Sequence, residues 1–127
     1  GASTGDAVTF DATIKVSGVP TLTTTASADL TTLATNAGTI APTFAGTTYN
    51  YYVDATNKTS YTVTATLTTA TEILLYKDGV YVEELTSGNA CTAIAISGVG
   101  TTHLITVMYK ESAKSYKTYN LTVHKTA

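Results

Sequence analysis

Residues Ile40–Ala55, IAPTFAGTTYNYYVDA, decide how this chain folds. Ile40-Ala41-Pro42-Thr43-Phe44 is a loop, because Pro42 fixes φ and lacks an N–H, which suits a connection and not a central strand. Ala45-Gly46-Thr47-Thr48 turns the chain, and Tyr51, Val53 and Ala55 then alternate onto one face of a strand. Phe44, one of two phenylalanines in the chain, is placed to pin the loop onto a core. Such a segment carries a chain from one sheet of a β-sandwich to the other.

The flanking sequence repeats the same period of two. Val8, Phe10, Ala12, Ile14 and Val16 alternate with Thr9, Asp11, Thr13 and Lys15, which predicts a strand with one wet face. Ser17-Gly18-Val19-Pro20 ends it, and Thr21–Ser27 reads as an edge strand or extended linker. Leu30 and Leu33 anchor a short element closed by Asn36-Ala37-Gly38; a spacing of three would suit one helical turn, but the flanking threonines oppose it. Tyr61, Val63, Ala65 and Leu67 alternate with threonines. Glu72–Lys77 and Val80–Leu85 flank Asp78-Gly79, a pair suited to the positive φ angles of a type I′ hairpin turn. Cys91–Ser97 carries Ile94 and Ile96 on one face. His103–Lys110 is apolar on both faces, with Ile105, Val107 and Tyr109 opposite Leu104 and Met108. After the loop Glu111-Ser112-Ala113-Lys114, a last strand holds Tyr119, Leu121 and Val123. No segment sustains a period of 3.6, and turn signals recur at sandwich-like intervals. The expected inter-sheet core is Phe10, Ile14, Phe44, Tyr51, Val53, Ile94, Ile96, Ile105, Val107, Leu121 and Val123.

Composition narrows the function classes. At 127 residues the chain is long enough for one domain with a real core. Only 13% of residues are charged and the net charge is −2, with seven Lys+Arg and no basic cluster, so a nucleic-acid grip is excluded. No apolar run reaches the length of a membrane-spanning helix, so direct membrane insertion is not expected. The single Cys91 permits neither an internal disulfide nor a cysteine-based metal site, and burial is expected for it. Gly1-Ala2-Ser3-Thr4-Gly5-Asp6 has neither the basic nor the apolar region of a leader peptide. It reads as a chain from which such a segment was removed. With abundant Thr, Ser and Tyr, the expected location is extracellular or on the cell surface.

From Leu30 to Val123 the chain resembles the bacterial cadherin-like β-sandwich family of immunoglobulin-like modules. The resemblance rests on Leu30 and Leu33, the loop Gly38-Thr39-Ile40-Ala41-Pro42-Thr43-Phe44, Tyr51-x-Val53, and the Asp78-Gly79 turn. It continues through Gly98 and Gly100 leading to Ile105-x-Val107, and closes with Tyr119-x-Leu121-x-Val123. It implies an all-β, immunoglobulin-like sandwich of about seven to nine antiparallel strands over residues 29–127. Residues 1–28 lie outside the resemblance and read as an N-terminal extension that adds a strand to the same domain, or alternatively as the tail of a preceding module. The resemblance also implies a place among neighbouring modules of a larger surface or secreted protein. Calcium is not implied, and the acidic residues form no D-x-D cluster that would hold it. No metal and no cofactor is expected.

Few residues are disposed for chemistry. No G-x-S-x-G elbow accompanies His103 or His124; His103 is expected as a solvated strand-start residue, and His124 at a fraying C-terminus. Glu83 and Glu84 are adjacent on a strand and point to opposite faces, so they cannot act as a glycosidase pair. An enzyme is therefore not expected. Asn57-Lys58-Thr59 and Asn120-Leu121-Thr122 match the glycosylation acceptor pattern, which chance produces often. A Lys15–Asn120 isopeptide is disfavoured because alternation puts both on wet faces. The expected function is a structural or adhesion module. Two alternatives stand beside it. One is carbohydrate binding by a planar row of exposed tyrosines, with Tyr76, Tyr81 and Tyr52 as candidates and Tyr76 and Tyr81 facing each other across the hairpin. The other is protein–protein contact through an edge strand at Thr21–Ser27, or through the Leu104/Met108 face.

Overall fold

A computed structural model of the chain describes residues 25–127. The expected strand Val8–Val16, its core residues Phe10 and Ile14, and most of the N-terminal extension lie outside the described residues. Those described contain nine strands and no helix. They are β1 (Thr32–Thr35), β2 (Asn50–Asp54), β3 (Ser60–Tyr61), β4 (Val63–Thr66), β5 (Ala70–Lys77), β6 (Val80–Glu84), β7 (Ile94–Ala95), β8 (Thr102–Glu111) and β9 (Lys117–His124). A five-stranded sheet runs in the order β2-β9-β8-β5-β6, while β1 pairs with β4 and β3 with β7. One core cluster draws side chains from all of these sheets, as in a β-sandwich.

The segment Ile40–Ala55 makes the predicted crossing. It leaves β1, which pairs with β4, and delivers β2 to the edge of the five-stranded sheet. On the way Ala41 and Tyr52 exchange two backbone hydrogen bonds of 2.8 Å. The Tyr51 hydroxyl donates to the carbonyl of Ala45 at 2.7 Å and accepts from its N–H at 3.0 Å, while its ring stacks on Phe44 at 5.8 Å. Gly38, two residues ahead of this stretch, has a steric reason: a Cβ there would lie 2.7 Å from the carbonyl oxygen of Asp54.

The expectation of antiparallel strands throughout needs correction at one place. β2 lies parallel to β9, with Tyr51 opposite Leu121 and Val53 opposite Val123. Parallel neighbours require a crossover connection, and everything between Asp54 and Lys117 supplies it. The remaining strand pairs are antiparallel. Asp78 and Gly79 take the positive φ values of 52° and 84° that the tight β5–β6 turn demands.

Alternation fills the core as expected for Tyr51, Val53, Ile94, Ile96, Ile105, Val107, Leu121 and Val123, all buried; Phe44 is half-buried against them. Burying such a side chain stabilises by roughly 1.5–3 kcal/mol. Tyr119 sits among aromatic neighbours, its ring 4.9 Å from Tyr49 and 6.0 Å from Tyr109. Buried phenols require partners. Tyr119 donates to the Gly46 carbonyl at 2.6 Å and accepts from the Leu30 N–H at 3.0 Å. Tyr109 donates to the Ala28 carbonyl at 2.6 Å. The same first stretch is clamped by Glu111, which accepts from the Ala28 N–H at 3.0 Å, from Lys114 at 2.8 Å and from the Thr69 hydroxyl. Thr25–Ser27 is tied down as well, with Ala26 bridging Ser115 and Ser27 buried.

Candidate functional site

The period of two that buries Tyr51, Leu121, Ile105 and Leu75 turns their neighbours to the opposite face of the five-stranded sheet. Strand register then aligns five of them across the sheet. Asn50 pairs with Asn120, Asn120 with Thr106, Thr106 with Tyr76 and Tyr76 with Tyr81. The row crosses four interstrand spacings, roughly 19 Å. Its side chains are linked: the Thr106 hydroxyl donates to Asn120 Oδ1 at 2.9 Å, and Asn120 Nδ2 donates to Asn50 Oδ1 at 3.3 Å. None of the five carries a charge.

The three tyrosines singled out in the sequence share this outer face. Tyr76 and Tyr81 face each other across the β5–β6 ladder as expected, beside a bulge that takes Val82 out of register. Tyr52 lies at the opposite edge of the sheet, on β2, and is 43% exposed. A planar row of rings is not formed. The Tyr76 and Tyr81 rings stand 72° apart at 5.8 Å, edge to face. That is the arrangement the ring quadrupoles favour. Tyr116 reaches the same face at a corner, its hydroxyl donating to Glu72 and its ring 5.2 Å below the Lys110 ammonium.

Two depressions open on this surface. One, of about 280 Å³, is lined by Tyr76, Gly79, Thr106 and Met108. The other, of about 480 Å³, is lined by Tyr49, Asn50, Tyr116, Lys117, Thr118 and Asn120. They adjoin across the β8–β9 ladder, where Thr106 pairs with Asn120 and Met108 with Thr118. Together they make a shallow trough across the strands, with the Tyr76 ring at one end, amides and a hydroxyl along its floor, and Tyr116 set to one side at the β8–β9 hairpin end, reaching back to Glu72 on β5.

The two histidines and the cysteine are engaged in structural bonds. His103 is not the solvated residue expected: it is buried, its Nδ1 2.8 Å from the Tyr61 hydroxyl. It shares the inward parity of Ile105 and Val107, and the strand begins before it. His124 does not fray; it pairs with Asp54 and Thr102 within β9 and hydrogen-bonds the Thr102 hydroxyl at 2.7 Å. Cys91 is buried as expected, and burial pushes its thiol pKa up. Asn120 is occupied by Thr106 and Asn50, while Lys15 lies outside the described residues. Among the described residues no cluster of His, Cys, Asp and Glu could hold a metal, and no helix is long and apolar enough to cross a membrane.

Asn50 and Thr106 were not singled out in the sequence, and Asn120 was weighed there only as a glycosylation acceptor and an isopeptide partner. Their alternation marks them as outward, but only the parallel pairing of β2 with β9 makes them one row. Comparison with family models, with curated proteins and with solved structures finds no match for this chain.

Proposed function

We propose that the chain is a non-catalytic adhesion module of a larger bacterial surface or secreted protein. On this reading its framework is an immunoglobulin-like, cadherin-like sandwich, and its contact surface is the outer face of the five-stranded sheet. The observation that carries this reading is the contrast between the two faces. The inner face is closed by buried side chains and tyrosine hydroxyls bonded to backbone. The outer face presents an uncharged row that ends in the exposed Tyr81 and is flanked by the exposed Tyr52 and Leu104. Exposed aromatic and aliphatic groups among uncharged polar ones form a surface that binds by desolvation and hydrogen bonding together. The test is retention of fluorescently labelled protein on insoluble polysaccharide, on intact bacterial cells and on protein-coated beads. Retention on at least one surface is expected, weakened by Tyr76→Ala with Tyr81→Ala and unchanged by Val99→Ser in the Gly98–Gly100 turn. No retention, or retention indifferent to the outer face, would refute it.

A second reading has its own observation. β6 is an edge strand whose Val80, Tyr81 and Val82 are 68%, 52% and 40% exposed. Such an edge can accept another strand. A dimer that grows with concentration in light scattering and disappears in Val82→Lys would support it.

A further inference from the structure

We infer that the trough across the outer face binds a single, uncharged polysaccharide chain laid perpendicular to the strands. This deepens the adhesion reading and rests on it. Three features of the trough select the ligand class. Its floor offers amide and hydroxyl groups, donors and acceptors in alternation: the Thr106 hydroxyl, the Asn120 amide and the Asn50 amide. Sugar hydroxyls both donate and accept, so they can join such a row at either side of each existing bond. Rings line both depressions, with Tyr76 and its partner Tyr81 at one end of the row and Tyr116 to the side of it, at the β8–β9 hairpin end. An aromatic face beside hydrogen-bonding groups matches the apolar ring face and polar rim of a pyranose.

Charge argues for an uncharged chain. The charged groups at the rim come in opposite signs. Lys117 is paired with Asp29 at 2.8 Å, and Glu72 and Lys110 stand opposite each other on neighbouring strands. An anionic glycan or nucleic acid would find no free cationic cluster here. The direction of the trough argues against a peptide. β9, β8 and β5 are each paired on both sides, so their backbone groups are committed to ladders and unavailable for strand addition.

The edge-to-face tyrosine pair decides the form of the ligand. Rings 72° apart cannot lie together under a flat crystalline surface. They make an end wall and a floor instead, which suits one flexible chain. The row length of roughly 19 Å sets how much of that chain is held.

The experiment is isothermal titration calorimetry of the wild-type chain with soluble neutral oligosaccharides of increasing length, beside pull-down on crystalline cellulose and titration with an anionic polysaccharide. Affinity should rise with length and level off once the row is filled. Tyr76→Ala, Tyr116→Ala and Asn120→Ala should each weaken it roughly three- to tenfold, the effect of losing one ring or hydrogen-bond contact. Unfolding midpoints of each variant, and Tyr81→Ala at the exposed edge as a further variant, separate lost binding from lost folding. Silence toward every soluble neutral chain overturns the inference, as does preference for the crystalline surface or the anionic chain. If retention on cells or protein-coated beads persists in that case, the adhesion reading survives without this ligand; if nothing retains the protein, both fall.

Discussion

Tyr61 and His103, distant in the chain, meet inside the core with the phenol oxygen 2.8 Å from the imidazole Nδ1. Burial, and after it the Lys77 ammonium, hold the His103 pKa below its ordinary value of 6.5, with Asp78 opposing. The unfolded chain therefore binds a proton that the folded chain resists, and stability present at neutral pH is lost as pH falls below about 6.5. Urea midpoints at about pH 7.5 and about pH 5.5 should show the drop, and His103→Gln should flatten it. Tyr61→Phe leaves the buried Nδ1 without its partner, at a cost of about 1–3 kcal/mol.

Glu111 acts at lower pH. Its bonds to the Lys114 ammonium, the Thr69 hydroxyl and the Ala28 N–H hold the carboxyl at about 2 rather than the usual 4.5. A depressed carboxylate pKa stabilises above the unfolded value, and the stabilisation is lost as pH falls from about 4.5 to about 2. Glu111→Gln should lower the thermal midpoint at neutral pH and remove much of this acid limb. A wild-type midpoint unchanged across that window would contradict the clamp.

The two faces of the sheet should answer differently to truncation. Leu121→Ala removes buried volume and should cost about 2–5 kcal/mol. Tyr81→Ala, on the exposed edge, should cost only about 0.5–1.5 kcal/mol, the worth of its ring contact with Tyr76. Chemical denaturation of both variants measures the contrast directly.

Gly38→Ala gives a steric test. The added Cβ would meet the Asp54 carbonyl at 2.7 Å and Val53 Cγ2 at 3.2 Å, so β2 or its preceding loop must shift. Overpacking of this kind costs about 1–3 kcal/mol, readable as a lower denaturation midpoint.

The alternation of Tyr51, Val53, Ile105, Val107, Leu121 and Val123 was enough to read the inner face, because a half-buried strand writes its burial every second residue. Pro42 and Phe44 marked the crossing between sheets, and Asp78-Gly79 marked the turn. His103 was misread because a strand start carries no local mark of its own, and the pattern shared with Ile105 was not extended back to it. The row from Asn50 to Tyr81 was hidden for a different reason. Asn50 and Asn120 are adjacent only through the parallel β2–β9 pairing, which depends on the path of the whole chain and leaves no trace near either residue. The Tyr76–Tyr81 pairing was legible because a two-residue hairpin fixes register locally. The angle between their rings was not, since it depends on side-chain torsions beside the bulge.

One measurement tests the central claim most directly: a two-dimensional ¹⁵N–¹H NMR titration of the labelled protein with a soluble, uncharged oligosaccharide long enough to span the row. The account predicts shifts at the amides of Asn50, Tyr76, Thr106 and Asn120 and in the side-chain amides of Asn50 and Asn120, with the Gly98–Gly100 turn unmoved. Shifts confined to the Val80–Glu84 edge, or no shift at any residue, would contradict it.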